Sequence, residues 1–223
     1  MRTRKQLLSN SVSLVVLLIS ITFLFFLGRN DLTGATEQNT ANEISQKVIL
    51  TEKTETKTSE YYGAKRAQLA LQEYHLGVAE ESKGCDCGPE IDKYTEGHNA
   101  QWCTMFASWI AKEAGSPFIN KDTGRWRINN SRDLEKYLKE NGTWFTKDEV
   151  KQKNLQPKMG DFIIYWRGNY DSGLGHVDIV VNPGKTEGYA ETVGGNIRGK
   201  VVMRTVPFRD SYGFLGFGRP EKQ

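Results

Sequence analysis

The residues best suited to chemistry in this 223-residue chain are a cysteine and a histidine far apart in sequence. Cys103 stands near the start of an apolar run, Trp102-Cys103-Thr104-Met105-Phe106-Ala107-Ser108-Trp109-Ile110-Ala111. The thiolate is the reactive form of such a side chain, and the unpaired N–H groups of a first helical turn favour it. Asn99 is placed to cap that helix, which would set Cys103 about one turn in. A thiol nucleophile also needs a partner that takes its proton and later protonates a leaving amine. Of the three histidines, His176 is the best placed. It opens a strand after Gly173-Leu174-Gly175, where a ring can sit at the rim of a sheet. His75 belongs to a helix that already has an apolar stripe, and His98 to a loop.

A third group should orient the imidazole. If the hairpin after His176 turns near Lys185, facing residues have numbers summing to about 370, which sets His176 opposite the neighbourhood of Gly194. Alternation then places Asn196 on the side of His176 and Glu191 on the other. Asn196 is the expected orienting residue and Glu191 the reserve, since a register shift of one reverses the choice. The oxyanion formed by attack on an amide would be held by the Cys103 backbone N–H and the Gln101 side chain.

The elements that must position these groups follow from periodicity. Ala64, Ala67, Leu71, Tyr74 and Val78 recur at helical spacing from Tyr61, with Gly77 weakening the end. Residues 85–98 read as a loop broken by Gly88, Pro89 and Gly97. The cysteine helix is apolar on both sides and should be enclosed, ending at Gly115 and Pro117. Residues 131–140 form an amphipathic helix with Leu134, Tyr137 and Leu138 inward. Strands follow at 161–166, 176–181, 189–193, 199–206 and 214–218. Helices first and strands after predict an α+β fold with N-terminal helices packed on an antiparallel sheet.

Upstream, a basic flank precedes an apolar stretch from Leu7 to Leu27. Residues 1–29 therefore read as a single-pass membrane anchor, or alternatively a cleaved signal, with everything beyond exported. Residues 30–60 are rich in Thr, Glu, Lys, Asn and Gln and read as a polar, disordered linker, which leaves residues 61–223 as one catalytic domain. The net charge of +3 is contributed by the first 35 residues, so no basic surface argues for nucleic acid. The chain is expected to act as a monomer. Cys85 and Cys87 are either incidental loop thiols or a local redox-formed bridge, and without a second pair they make a poor zinc site.

Trp102-Cys103 with Phe106, Trp109 and Ala114-Gly115, then Gly160-Asp161, Gly175-His176-Val177 with Ile179-Val180, and Gly195-Asn196 together resemble the CHAP family of cysteine, histidine-dependent amidohydrolases and peptidases. The resemblance implies a papain-like fold, Cys103 as nucleophile and His176 as base. Gln101, Trp102 and Asp178 are expected near the oxyanion or the substrate, where the Asp178 carboxylate would raise the histidine pKa or contact a cationic substrate group. It implies a bacterial cell-wall hydrolase that cuts an amide of peptidoglycan, either as an N-acetylmuramoyl-L-alanine amidase or within the peptide. Two positions depart from the family. Its members often carry Glu-Gly-Asn where this chain has Gly194-Gly195-Asn196, and a small residue where Asp178 follows His176. Some relatives bind calcium near the cysteine loop, but Asp86, Glu90, Asp92 and Glu96 lack the alternating spacing of a calcium loop, so no cofactor is expected. An inactive wall-binding scaffold is the alternative, and a peptidase or transferase acting on surface proteins is a third reading.

Overall fold

The computed structural model describes residues 34–119, 123–168 and 174–220, with side chains from residue 43. The apolar stretch expected to anchor the chain lies outside these residues. Among the described residues no helix is long and apolar enough to cross a membrane. The chain divides into two units, Met1–Glu52 and Lys53–Gln223.

Helix α1 spans Gly34–His75. Residues 34–60, expected as an unstructured linker, are therefore helical. No proline or glycine interrupts positions 35–62, and threonines tolerate the helix by bonding back to the preceding turn, as Thr51 does to the Lys47 carbonyl and Thr58 to that of Thr54. The lack of a core there is as expected, since Ile44, Val48, Ile49 and Leu50 are all exposed.

The buried face of α1 differs from the apolar stripe read in the sequence. Ala67 and Ala70 face inward with Arg66 and Glu73, while Ala64 and Tyr74 are exposed. Both charges are buried with partners. Arg66 donates to the Gly160 carbonyl at 2.9 Å and to Ser116 Oγ at 2.8 Å. Glu73 takes the Tyr94 hydroxyl and pairs with Lys93 at 2.7 Å. Backbone meets backbone at this crossing, because a Cβ on Gly160 would lie 2.2 Å from the Gly63 carbonyl oxygen.

Two short helices follow. The segment expected as loop contains α2, Pro89–Thr95, started by proline in its first turn and buried through Ile91, Tyr94 and Thr95. Helix α3 is Cys103–Glu113. It ends as predicted, with Gly115 at φ +85 and the Ser116 N–H bonded to the Ala111 carbonyl. Helix α4, Ser131–Asn141, is capped by Asn130 Oδ1, which accepts from the Asp133 N–H at 2.9 Å. Strand β1, Gly142–Thr146, and the capping-box helix α5, Lys147–Gln152, had no counterpart in the sequence reading. Asn141-Gly142 passes straight from helix into strand where a turn was expected.

The remaining strands are β2 Phe162–Trp166, β3 Gly175–Asn182, β4 Ala190–Gly194, β5 Val202–Val206 and β6 Phe214–Pro220. They form one antiparallel six-stranded sheet in the order β1-β6-β2-β3-β4-β5. Each face carries its own core. Val177, Ile179, Val181, Phe162, Ile164 and Val193 pack with α3 and α4. Ile163, Tyr165, Val180, Phe208, Phe214 and Phe217 pack with α5 on the other side. The class is α+β, as the order of elements predicted, with the helices of the first half on one face of the sheet.

Candidate active site

Cys103 is the first residue of α3, one turn earlier than the Asn99 cap predicted, because the cap position is held by Trp102. The first intrahelical bond runs from the Phe106 N–H to the Trp102 carbonyl. The N–H groups of Cys103 and its two successors thus lie ahead of the helical ladder, the arrangement that stabilises negative charge. Trp102 itself is fully buried, stacked on Tyr94 and donating from Nε1 to Glu80 at 3.1 Å. It seats the helix and does not line the cleft, which corrects its expected place near substrate.

His176 and the thiol arrive from opposite faces of the sheet. Along β3, Val177, Ile179 and Val181 point to the core of the cysteine helix, so His176, Asp178 and Val180 point to the other. The two groups meet over the end of the strand, where Cys103 Sγ lies 4.0 Å from the Gly175 carbonyl oxygen, close enough for the His176 charge to act on the thiol. Imidazole Nε2 is 3.1 Å from Asp178 Oδ1. With Nε2 so engaged, Nδ1 is the ring nitrogen left for the thiol, and it is buried without a hydrogen-bond partner.

Asp178 is completely buried and is held from its far side by Arg204, whose Nη2 donates to Oδ2 at 2.7 Å. The expected orienting residues stand elsewhere. Asn196, at φ 54, donates from Nδ2 to Asp86 at 2.8 Å, and Glu191 accepts from Asn182 Nδ2 at 2.9 Å. The reason is where the ladder stops. The pairs Ile179↔Val193 and Val180↔Thr192 place Asp178, not His176, opposite Gly194, and β4 ends there. A Cβ on Gly194 would lie 2.3 Å from Asp178 Oδ1 and 2.9 Å from His176 Nε2. The Asp178 carboxylate thus occupies the space that a side chain at position 194, directly across the ladder, would take.

These contacts set the protonation. Burial opposes the charged imidazole, yet the Asp178 carboxylate and the thiol beside it lift His176 to about 9. Burial likewise pushes the Cys103 thiol up, but His176, the Thr104 hydroxyl and the Arg167 charge outweigh it and bring the thiol below its ordinary value. Asp178 is pushed up by burial and brought below the usual carboxylate range by His176 and Arg204. The favoured state is a thiolate–imidazolium pair backed by a carboxylate–guanidinium pair.

The cleft opens on both sides of this chain of groups. On the cysteine side Gln101, Thr104, Asn130, Ser131 and Leu174 line a cavity of about 300 Å³, with Gln101 exposed at its edge. Of the acidic residues weighed as calcium ligands, Asp86 accepts from Asn196, Glu90 pairs with Lys93 and Glu96 pairs with Arg127, while Asp92 stands in α2. Cys85 and Cys87 form a disulfide, which leaves Cys103 as the chain's free thiol. Sequence reasoning missed Arg204 as part of the site. It lies on β5, two strands beyond the histidine, and finding it needed two strand registers fixed at once.

No curated protein matches the chain. Residues 94–196 match the family model of the CHAP domain, a stretch that holds Cys103, His176, Asp178 and Gly194. That family points to hydrolase activity on peptidoglycan, and the α+β architecture with its antiparallel sheet is consistent with it. On this match and this fold, residues 94–196 of the chain are similar to the CHAP domain family.

Proposed function

We propose that the protein is a thiol-dependent hydrolase that cuts an amide bond of peptidoglycan. The observation that carries this reading is the buried line Cys103–His176–Asp178 at the mouth of an open cleft. In the first step Cys103 Sγ attacks the amide carbonyl carbon, with the oxyanion held by the Cys103 N–H and the Gln101 amide. His176 gives its proton to the departing nitrogen as the C–N bond breaks, leaving a thioester. Water then attacks the thioester while His176 takes a proton, and cleavage of the C–S bond returns the thiolate with an acid product. Asp178 acts through His176 as a positioning residue: it fixes the ring so that Nδ1 is left for the sulfur, and it stabilises the charged form.

Cys103→Ala should abolish lysis of cell walls in a zymogram while circular dichroism stays native. Unchanged lysis would refute the assignment. Mass spectrometry of the released fragments separates amidase from endopeptidase action, since intact glycan reducing ends with new amino termini mark amide or peptide cleavage. The scaffold alternative rested on the missing glutamate at position 194, and Asp178 supplies a carboxylate to the same imidazole. Activity on purified sacculi that a thiol reagent abolishes would exclude that alternative. We also place the domain outside the cell, carried there by the N-terminal apolar segment. The Cys85–Cys87 disulfide suits an oxidising compartment.

A further inference from the structure

The cleft has a second half that the reaction as described does not use. Beyond His176, Tyr165, Trp166, Arg204, Ser211 and Tyr212 line a cavity of about 200 Å³, and Arg167 borders both this half and the cysteine half. The division has a chemical meaning that rests on the hydrolase reading. The carbonyl carbon must meet the sulfur and the nitrogen must meet the imidazole, so the acyl part lies over the cysteine half and the leaving amine over the histidine half.

The histidine half is lined with donors. Arg204 spends Nη2 on Asp178, while its Nε has no partner. The Tyr165 hydroxyl belongs to a residue only 7% exposed and also lacks a partner. Its ring pairs with His176 across β2 and β3 and stacks on the imidazole at 6.4 Å. Charge points the same way. Thiolate and imidazolium cancel, Asp178 is matched by Arg204, and Arg167 has no ion pair among the described residues. Among the described residues, one positive charge is left over at the cleft.

We propose that this half of the cleft is an anion subsite that takes a carboxylate carried by the leaving-amine segment, with Arg204 and the Tyr165 hydroxyl as donors and Arg167 at the rim. The substrate class is therefore an acidic peptide on the amine side of the cut bond, in preference to a run of uncharged residues. Trp166 and the exposed Tyr212, whose rings lie 5.1 Å apart, form the wall against which such a segment rests.

Two N-lactyl tripeptide amides, Ala-Glu-Lys and Ala-Gln-Lys, differ only in that carboxylate. Titrated calorimetrically into Cys103→Ala protein, the glutamate peptide should bind about tenfold more tightly, the scale of a charge-assisted hydrogen bond. The preference should collapse when Arg204→Gln is added. Equal affinities, no detectable binding of either peptide, or a preference that survives both Arg204→Gln and Arg167→Gln would overturn the subsite. Turnover by wild-type protein separates the two levels. If the binding preference holds but neither the lactyl amide nor any peptide bond is ever cut, the hydrolase reading falls and the subsite stands. In kinetics, a role for Arg204 confined to Asp178 would slow both peptides equally and leave their ratio unchanged, whereas the subsite predicts loss of the ratio.

Discussion

Asp178 determines what His176 can do, and its contribution is measurable as a function of pH. The competent form carries a thiolate and an imidazolium, so rate is lost at high pH as His176 gives up its proton near 9, and at low pH as the thiol gains one. Asp178 raises the imidazole value, so its removal has a signed consequence. In Asp178→Asn the alkaline limb of kcat/KM should move below that of the wild type, and the plateau should fall about 100-fold or more. A plateau loss with an unmoved limb would mean that the carboxylate only shapes the pocket. Arg204→Lys should preserve part of the limb, because a single charge still faces Asp178 while the planar fork is lost.

At the scale of elements, the site depends on two facing positions on β3 and β4. Gly194→Ala should leave the fold intact and silence the enzyme, because the added methyl group occupies the space of the Asp178 carboxylate. The double variant Asp178→Gly with Gly194→Glu moves the carboxylate from β3 to the facing position on β4. It should recover activity that Gly194→Glu alone lacks, as read by lysis of purified walls. The same ladder explains how far the sequence could be read. Cys103 and His176 were legible because each opens an apolar element with its own periodicity, and so were α3, α4 and the five later strands. Asn196 was misplaced because β4 stops at Gly194 and the chain turns away at Asn196, φ 54; the pairs sum two higher than expected, which alone would keep Asn196 on the side of His176. Helix α2 and strand β1 were missed because Pro89 and Asn141-Gly142 carry the same local signals as loops. In each case tertiary burial decided, through Ile91 and Tyr94 for α2 and pairing with β6 for β1. The inward face of α1 was misread because buried Arg66 and Glu73 are invisible to a search for apolar stripes.

For the whole molecule, one ionic knot ties the first helix to the sheet. Asp161, fully buried at the entry to β2, takes Nε and Nη2 of Arg219 on β6 at 2.7 and 2.6 Å, and the next carbonyl upstream holds Arg66 of α1. Asp161→Ala would strand the Arg219 guanidinium in the interior and should cost about 3–5 kcal/mol in denaturant unfolding, with the midpoint shifted and the slope kept. The effect on rate should be small at temperatures where the variant remains folded, since the knot lies away from the sulfur.

The meeting of sulfur and imidazole over the lip of β3 makes competence a coincidence between two separately packed layers. Loosening either layer by a fraction of an ångström parts the pair while most of the backbone stays ordered. On gradual heating, hydrolysis should therefore fade several degrees before far-ultraviolet ellipticity does, and should return on cooling. Coincident loss of both signals would mean that the layers melt as one.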